Sequence, residues 1–326
     1  MKNKFLFLLF SSFLLIACAG QLAVTEKVNG ISFVAPPREF PEENLEPFLK
    51  TNANWVAVMP FGFMPKIDSA AVIFNVERQW WGERREGALK TINMFKAKGI
   101  KVMLKPQLWV WRGDFTGHIK MKNEADWLKF EESYENLILF YAQLAQETQA
   151  EMFCIGTELF GFVAERPKFW NQLIPKIRKV YSGKLTYAEN WDSFEKVTFW
   201  EELDFVGIDA YFPISESETP TVAEARKGWQ PHKQKIEELG KQIKKPILFT
   251  EFGYRNTHFS GKEPWDSQRT EGNINDDAQL NLMTALFEEF WHEPWFSGGF
   301  LWKWFPNHEQ SGGDADNQFT VQNKPA

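Results

Sequence analysis

The sequence predicts an α/β protein folded as a single (β/α)8 TIM barrel. Eight short apolar runs alternate with longer stretches of helical periodicity, and this alternation indicates a parallel sheet covered by helices. The chain has 326 residues, a length that fits one large barrel, and no segment rich in Pro, Gly or Ser divides it into halves. The G-x-G-x-x-G sequence that would favour an open dinucleotide-binding sheet does not follow the first run.

The first residues have the pattern of an export signal and not of the barrel. Lys2 and Lys4 precede an apolar stretch, residues 5–16, that is too short to cross a membrane as a stable helix. Residues 15–18, at the end of this stretch and just after it, read Leu-Ile-Ala-Cys, which resembles the lipobox of bacterial lipoprotein precursors, whose cysteine receives diacylglycerol. The resemblance implies cleavage before Cys18 and a lipid anchor in the bacterial cell envelope, facing outside the cytoplasm. A plain secretory signal with an incidental Cys18 is the alternative.

The eight apolar runs that follow the signal are rich in β-branched and aromatic residues. They lie at residues 30–35, 55–60, 101–108, 152–157, 185–188, 204–211, 247–250 and 299–304. Helical periodicity covers residues 84–98, 123–149, 168–181, 222–243 and 276–292, and Gly228 and Pro231 interrupt the fourth of these stretches. The residues after the eighth run leave no room for a full helix, so we expect the last barrel helix to be short or absent. The predicted segments are therefore a signal peptide at 1–17, a lipid-anchored linker at 18–28 and the barrel at 29–326.

Composition excludes several classes of function. A formal charge of −6 leaves no basic surface for a nucleic-acid backbone, and two cysteines exclude a disulfide scaffold. If Cys18 carries lipid, Cys154 has no partner, and its apolar run predicts a small buried hydrophobic residue. The five histidines lack the spacing of a zinc site, and residues 312–317 lack the spacing of a calcium loop. We expect neither a metal nor a cofactor.

Two glutamates follow apolar runs at the edge of the barrel where active sites lie. The carboxyl ends of the strands form that edge, and Glu158 and Glu251 come directly after the fourth and seventh runs. A carboxylate in such a place is costly unless it is paired, hydrogen-bonded or used in chemistry. Two converging glutamates suit a retaining glycosidase, in which one protonates the leaving oxygen and the other attacks the anomeric carbon. A salt bridge from each glutamate to a basic neighbour is the alternative.

The same pair of glutamates is the pattern of the clan of retaining (β/α)8 glycoside hydrolases. Within that clan the chain resembles the family-113 glycoside hydrolases, which are β-1,4-mannanases, from about residue 28 to 325; the similar stretches are 29–33, 101–106, 156–158, 204–211, 250–254 and 298–304. The resemblance implies that Glu158 is the general acid/base and Glu251 the nucleophile. Thr157 departs from the clan, in which an Asn that binds the sugar 2-hydroxyl usually precedes the acid/base. Asn190, after the fifth run, is the candidate for that contact.

Other residues near the ends of the runs are predicted to bind substrate or to support the glutamates. Trp302, which ends the eighth run, matches the aromatic platform that the clan places under the reacting sugar. Tyr211 is expected to donate a hydrogen bond to Glu251 and so keep it ionised. Lys105, in the third run, has two open roles, a hydrogen bond to a sugar hydroxyl or a buried contact with a glutamate.

The rim of the predicted barrel mouth is aromatic. Trp109, Trp111 and Trp191 come just after the third and fifth runs and are expected to line the mouth; ordinary packing is the alternative for each ring. Glu189 is a third carboxylate near this rim, and the sequence leaves open an acid/base role for it. The long connections 61–83 and 254–272 also belong to this end, where long loops tend to be functional.

The sequence thus predicts a monomeric, lipid-anchored retaining glycoside hydrolase. Its expected substrate is β-1,4-mannan or a related β-linked hexose polysaccharide, which it would cleave by double displacement. A cellulase-like or xylanase-like glycosidase of the same clan is one alternative, since the clan shares its catalytic pair across substrates. A surface glycan-binding lipoprotein, with a barrel that has lost catalysis, is the other.

Overall fold

The computed structural model describes residues 26–266 and 273–326 and shows a closed barrel of eight parallel strands. The predicted fold class is therefore confirmed. Cys18 and the predicted signal peptide lie outside the described residues, as do residues 267–272 of the predicted loop 254–272. Within the described part of the chain, no helix combines the length and the apolar character that crossing a membrane requires.

Eight parallel strands follow one another around the barrel in chain order, and the last closes it against the first. They are almost continuously buried, because a parallel barrel strand has the core on one face and helices on the other. Their bounds are β1 Val28–Phe33, β2 Trp55–Val58, β5 Lys101–Leu104, β7 Met152–Thr157, β8 Lys184–Asn190, β9 Val206–Asp209, β10 Ile247–Phe252 and β11 Phe296–Trp304.

Three short strands form a second sheet above the barrel mouth. Strands β3 (Phe61–Met64) and β6 (Gln107–Val110) continue the paths of β2 and β5 and pair in parallel, while β4 (Ile73–Phe74) pairs antiparallel to β3. The predicted third run, 101–108, is therefore two strands in two sheets. Pro60 and Pro106 stand at the two breaks, because proline lacks the N–H that would continue a ladder of hydrogen bonds.

The helices lie close to the stretches of helical periodicity. Polar side chains cap three of them: Asn123, Thr221 and Asn275 each accept a hydrogen bond from the backbone N–H three residues later. Pro231 lies inside its helix and does not interrupt it. The bounds are α1 Glu46–Leu49, α2 Arg85–Ala97, α3 Glu124–Thr148, α4 Phe160–Glu165, α5 Pro167–Val180, α6 Val222–Ile243 and α7 Asp276–Phe290.

The outer ring of helices is incomplete at two places in the described chain. Between β8 and β9 there are two short 3-10 helices, Phe194–Lys196 and Trp200–Glu202, in place of an α-helix. After β11 a 3-10 helix, His308–Gln310, is the regular element, in agreement with the expectation of a short or absent last helix. The final segment packs back on the barrel, since Thr320 is buried and Gln322 is hydrogen-bonded to Phe305.

The core has two layers that the strands separate. Inside the barrel, Met103, Met152, Cys154, Leu248 and Phe300 form one apolar cluster, and a larger cluster fills the space between strands and helices. Cys154 is fully buried and free, as its apolar run predicts, and burial raises the pKa of its thiol to about 11. The apolar interior gives way to polar side chains toward the mouth, and there the candidate site lies.

We predict that Gly228→Ala destabilises the protein by about 1–3 kcal/mol, because overpacking at backbone contacts has costs of this order. Gly228 lies in α6, and a Cβ there would stand 1.8 Å from the carbonyl oxygen of Ile214. Gly240→Ala in the same helix is the matched control, since its Cβ would meet the flexible end of Ile247 at 3.2 Å. Thermal unfolding should show a lower Tm for Gly228→Ala than for Gly240→Ala; equal Tm values would contradict the argument.

Candidate active site

Glu158 and Glu251 lie at the carboxyl ends of β7 and β10, as predicted. Glu251 is the fifth residue of β10, and the pairing register of β10 shifts against both neighbouring strands just before it. In this strand Leu248 points into the barrel and Phe249 points toward the helices, so strict alternation would also turn residue 251 outward. The bulge reverses this orientation, and Glu251 turns into the barrel mouth while Phe252 packs outside.

Three donors hold the Glu251 carboxylate. Lys105 Nζ lies 2.5 Å from Oε1, and Gln107 Nε2 lies 3.0 Å from the same oxygen. The Tyr211 hydroxyl donates to Oε2 over 2.9 Å, which is the hydrogen bond predicted from the sequence. Donors to both oxygens, one of them a cation, stabilise negative charge on Glu251 and fix the orientation of the carboxylate.

Lys105 belongs to a buried charge network beneath Glu251. Its side chain has no exposed surface, and its Nζ lies 3.6 Å from Asp209 Oδ1 in addition to the contact with Glu251. Burial lowers the pKa of Lys105, but the negative charges of Asp209 and Glu251 outweigh it and raise that pKa above its ordinary value. Of the two roles left open for Lys105, the structure therefore shows the buried contact with a glutamate.

Asp209 is a member of the site that sequence reasoning missed. It ends β9, is fully buried, and accepts a hydrogen bond from Thr250 Oγ1 over 2.7 Å. Burial, together with the charge of Glu251, raises the pKa of its carboxyl to about 7. The signal was available, because Asp209 is a carboxylate at the end of an apolar run, like the two glutamates. Gln107, just past Pro106, is a second residue that was missed.

Glu158 has the opposite environment to Glu251. It is half-buried directly after β7 in the left-handed region, with φ of +51°, and its carboxylate accepts no hydrogen bond from a described residue. Burial and the nearby charges of Asp209 and Glu251 raise the pKa of Glu158 well above its ordinary value. The site thus holds one carboxyl that favours its protonated form and one whose charge is stabilised, which suits a proton donor beside a nucleophile.

Glu189 is enclosed and does not face the mouth. Its side chain has no exposed surface, and its two oxygens accept hydrogen bonds from Tyr187 Oη, Ser193 Oγ and the backbone N–H of Asn190. Ala188 points into the barrel, so its neighbours Tyr187 and Glu189 point toward the helices. Burial raises the pKa of Glu189 to about 7. A substrate at the mouth does not reach this carboxyl, and the acid/base role left open for it is not supported.

Asn190 lies at the end of β8, level with Asp209 on β9, which is itself level with Glu251 on β10. Alternation along β8 puts Asn190 on the inward face with Ala188. Its Oδ1 accepts a hydrogen bond from the backbone N–H of Trp191, and its Nδ2 donates to none of the described residues. The amide N–H groups are therefore available for a ligand at the mouth.

A cleft of about 1020 Å³ opens on the side of the second sheet, and its lining includes Gln107, which donates to Glu251. Trp109 and Trp111 are 50% and 67% exposed and lie in it, as does half-buried Trp302. Trp191 does not belong to this cluster: it stacks on Trp265 with ring centroids 4.9 Å apart. Of the three tryptophans predicted at the rim, Trp109 and Trp111 therefore line this cleft and Trp191 does not, because sequence position places a side chain at the mouth but not in a particular pocket. The lining includes Phe61, Phe63, Gln107, Trp109, Trp111 and Trp302.

Lys303 is a further cleft residue that sequence reasoning missed. Its Nζ lies over the rings of Trp302 and Phe305, at 5.2 and 5.3 Å from their centroids. Burial lowers the pKa of Lys303, and no hydrogen bond or ion pair joins it to another described residue. The alternation Trp302-Lys303-Trp304 was the available signal, since a lysine inside a buried strand is unusual. The Lys303 ammonium is therefore a donor available to a bound ligand.

We predict that Lys303→Met lowers kcat/KM for a glycan substrate by about 10- to 100-fold while the Tm stays the same. A hydrogen bond from a charged donor has a net value of roughly 1.5–3 kcal/mol, and Met keeps the apolar contacts with the two rings. Lys227→Met is the control, because Lys227 is an exposed residue of α6 outside the cleft lining. A variant with unchanged kinetics would remove Lys303 from substrate binding.

We predict that Lys105→Met destabilises the protein by about 3–5 kcal/mol, because removing one partner of a buried ion pair leaves an uncompensated charge. Lys241→Met is the matched control, since Lys241 forms an exposed pair with Glu237 that contributes less than about 1 kcal/mol. Denaturant unfolding measures both. The deficit of Lys105→Met should shrink as pH falls below about 7, where Asp209, whose pKa burial raises to about 7, becomes protonated and loses its charge. A loss no larger than that of Lys241→Met would contradict a structural role for the pair.

Among residues 26–266 and 273–326, no group of His, Cys, Asp and Glu side chains is arranged to hold a metal ion. The residues assembled at the mouth are instead carboxyl groups, hydrogen-bond donors and aromatic rings. Such a set can donate a proton to an oxygen, place a charged carboxylate against an electrophilic carbon, and stack on the C–H faces of sugar rings.

Comparisons with known proteins identify the family. The chain superposes on the β-mannanase AaManA of family 113 from Alicyclobacillus acidocaldarius, solved in complex with ManMIm, with a TM-score of 0.82 and 25% identity over 92% of this chain and 94% of that one. A second family-113 structure, a complex of a β-1,4-mannanase, gives a TM-score of 0.79 and 26% identity over 92% and 96% of the two chains. A β-glucuronidase from Faecalibacterium prausnitzii shares the fold alone, with a TM-score of 0.56 and 14% identity over 85% of this chain and 42% of that one.

Among curated protein sequences, no significant match is found. The sequence model of Glycoside Hydrolase Family 113 matches residues 38–324, nearly the whole barrel. The chain belongs to glycoside hydrolase family 113.

Proposed function

We propose that this glycoside hydrolase is a retaining endo-β-1,4-mannanase that acts by double displacement, with Glu158 as acid/base and Glu251 as nucleophile. The observation that carries the proposal is the contrast between the two glutamates. Glu251 is held by Lys105, Gln107 and Tyr211, which stabilise its charge, whereas none of the described residues donates to the Glu158 carboxyl and burial raises its pKa. The similarity to family-113 β-mannanases supports the choice of substrate.

The chemistry has two steps. In the first, Glu158 gives its proton to the glycosidic oxygen while an oxygen of Glu251 attacks the anomeric carbon; the C–O bond breaks and a glycosyl-enzyme forms. In the second, the Glu158 carboxylate takes a proton from water, the water oxygen attacks the anomeric carbon, and Glu251 leaves. The two inversions give net retention. Neither step consumes a cofactor.

In this proposal the substrate binds in the cleft and to the inward-facing side-chain amide of Asn190. Trp302 is the proposed platform under the reacting sugar, and Trp109 and Trp111 offer stacking surfaces for further rings of the chain. Several stacking surfaces along one cleft favour cleavage within a polysaccharide. Asn190 is the proposed donor to the 2-hydroxyl, whose orientation distinguishes mannose from glucose. Trp191, stacked on Trp265, is proposed to bind sugar outside this cleft.

Hydrolysis of β-1,4-mannan, with soluble cellulose and xylan alongside, tests the substrate. We expect cleavage of mannan to a ladder of oligosaccharides, and NMR of the first product should show the β-anomer. Cleavage of cellulose or xylan alone would keep the mechanism and change the substrate. An α-anomer as first product would overturn double displacement. Release of mannobiose or mannose alone from the start would exclude endo action.

We also propose that the enzyme is a monomer anchored through a lipid on Cys18 in the bacterial cell envelope. The support is the lipobox-like sequence before Cys18 together with the apolar stretch at residues 5–16. In a bacterial host, labelled palmitate should enter the protein and the enzyme should sediment with membranes. Cys18→Ala should lose both properties. Label-free, soluble enzyme from the unsubstituted chain would instead support a plain secretory signal.

A further inference from the structure

The backbone around Glu158 is restrained from three sides, although the carboxylate itself accepts no hydrogen bond from a described residue. The Glu158 N–H donates to the carbonyl of Ala188 over 2.8 Å, and the Glu158 carbonyl accepts from Thr116 Oγ1 over 3.1 Å. The N–H of the next residue, Leu159, donates to the hydroxyl of Tyr187 over 2.8 Å. The position and orientation of the Glu158 carboxyl therefore depend on the hydrogen bonds that hold its backbone.

The contact between Leu159 and Tyr187 depends in turn on Glu189. A tyrosine hydroxyl has one proton to donate, and Tyr187 donates it to Glu189 Oε2 over 3.0 Å. This donation leaves the lone pairs of the same oxygen free to accept the Leu159 N–H. A strong acceptor at Glu189 thus fixes the direction of the hydroxyl proton and, with it, the side of the oxygen that faces Leu159.

Glu189 is well placed to act as this fixed acceptor. It is fully buried, and its other oxygen, Oε1, accepts from Ser193 Oγ and from the Asn190 N–H, both over 2.9 Å. The ring of Tyr187 is held separately, because it packs against Trp170 and Phe199 with centroids 5.4 Å away in each case. The hydroxyl is therefore not needed to keep the ring in place.

The left-handed backbone conformation of Glu158 explains why these hydrogen bonds are needed. A non-glycine residue at φ of +51° is in a sparsely populated region and persists where its surroundings fix it. The three hydrogen bonds act on Glu158 itself and on the peptide group that follows it. Without them the backbone can relax toward more populated angles, and the carboxyl would move away from the glycosidic oxygen.

We propose that Tyr187 and Glu189 are positioning residues for the acid/base, acting through the backbone N–H of Leu159. The proposal rests on the proposed function only in that Glu158 is the acid/base. It gives Glu189 a role that needs no contact with substrate.

The proposal predicts a loss that depends on the leaving group. A sugar leaving group needs the proton from Glu158, whereas 2,4-dinitrophenolate leaves without one. Tyr187→Phe removes only the hydroxyl, so we expect kcat/KM for mannohexaose to fall by about 10- to 100-fold, the range for a misplaced catalytic group. For 2,4-dinitrophenyl β-mannobioside, kcat/KM should change less than about twofold, while kcat falls because the second step still needs the base. Azide, which attacks the glycosyl-enzyme without base assistance, should restore that kcat.

Tyr181→Phe is the matched control. Tyr181 is also buried and donates to a backbone carbonyl, that of Ala150, over 2.7 Å, but at the opposite end of β7. We expect it to change Tm without separating the two substrates. Thr116→Val, which removes the hydrogen bond to the Glu158 carbonyl at a half-buried position, is a second variant with the same expected pattern.

Equal losses on both substrates in Tyr187→Phe and Thr116→Val, or no loss on either, would overturn the proposal. The same separation in Tyr181→Phe would also overturn it, since the effect would then belong to general destabilisation. If the unsubstituted enzyme cleaves cellulose or xylan and not mannan, the substrate assignment fails on its own. The leaving-group comparison then runs with the corresponding oligosaccharide and dinitrophenyl glycoside.

Discussion

Glu251→Ala is expected to lower kcat/KM for mannohexaose by at least about 10⁴-fold, which corresponds to roughly 5.5 kcal/mol of transition-state stabilisation. Without the carboxylate nothing attacks the anomeric carbon, so no glycosyl-enzyme forms. The expected loss is the same for 2,4-dinitrophenyl β-mannobioside, because a better leaving group does not replace a missing nucleophile. Burst and steady-state kinetics measure both.

The product with added azide identifies the step. In Glu251→Ala the space beside Lys105, Gln107 and Tyr211 is open to a small anion, and azide attacking from that side gives the α-glycosyl azide. Glu251→Gln is the control for shape, since it keeps the side-chain volume and should be equally inactive but not rescued. The fold should survive in both, because Asp209 remains as a partner for Lys105. Activity close to that of the unsubstituted enzyme, or a β-glycosyl azide, would exclude Glu251 as the nucleophile.

Much of the architecture was predictable because local and global signals agree. The helix that begins after Asn123 is an example: a capping side chain precedes an apolar stripe, and the predicted stretch 123–149 differs from Glu124–Thr148 by one residue at each end. In contrast, the run 101–108 was predicted as one strand, and its hydrophobicity alone does not show that it serves two sheets. Pro106 marks the division between the two strands, but β3, the strand that pairs with β6, is distant in sequence.

The two glutamates were predictable for a different reason. All strands of a barrel run in the same direction, so a carboxylate that directly follows an apolar run is known to lie at the carboxyl ends of the strands. The direction of the strands does not show where around the rim a side chain lies, or whether it points into the barrel or toward the helices. Trp109 and Trp191 both follow barrel strands at the mouth end, but Trp109 lines the cleft and Trp191 does not; Glu189 lies near the mouth but faces the helices.

The environment that distinguishes the two glutamates could be predicted only in part. Tyr211 ends the sixth run and was expected beside Glu251. The contacts of Lys105 and Asp209 depend on three strands that meet across the barrel, and the inward turn of Glu251 depends on a bulge that local sequence does not reveal. Both features are determined by contacts between strands that are distant in sequence.

Glu158→Ala should impair the two substrates unequally. We expect kcat/KM for mannohexaose to fall by about 10³-fold, within the range for general acid catalysis, and kcat/KM for 2,4-dinitrophenyl β-mannobioside to change by less than tenfold. Azide should raise kcat for the activated substrate and yield the β-glycosyl azide, because it attacks the glycosyl-enzyme on the face that water normally uses. This configuration is opposite to that expected for Glu251→Ala, so the two products separate the two roles.

The pH profile gives a second, independent signature of the acid. Burial and the charges of Asp209 and Glu251 raise the pKa of Glu158, and the protonated form is the one that assists departure of a sugar. Activity on mannohexaose should therefore fall as pH rises through that raised pKa, which gives the profile its alkaline limb. In Glu158→Ala, kcat/KM for the dinitrophenyl glycoside should lack this alkaline limb. A limb that stays in place in the variant would have to belong to another group, and Asp209, whose pKa burial raises to about 7, would then be the residue to substitute.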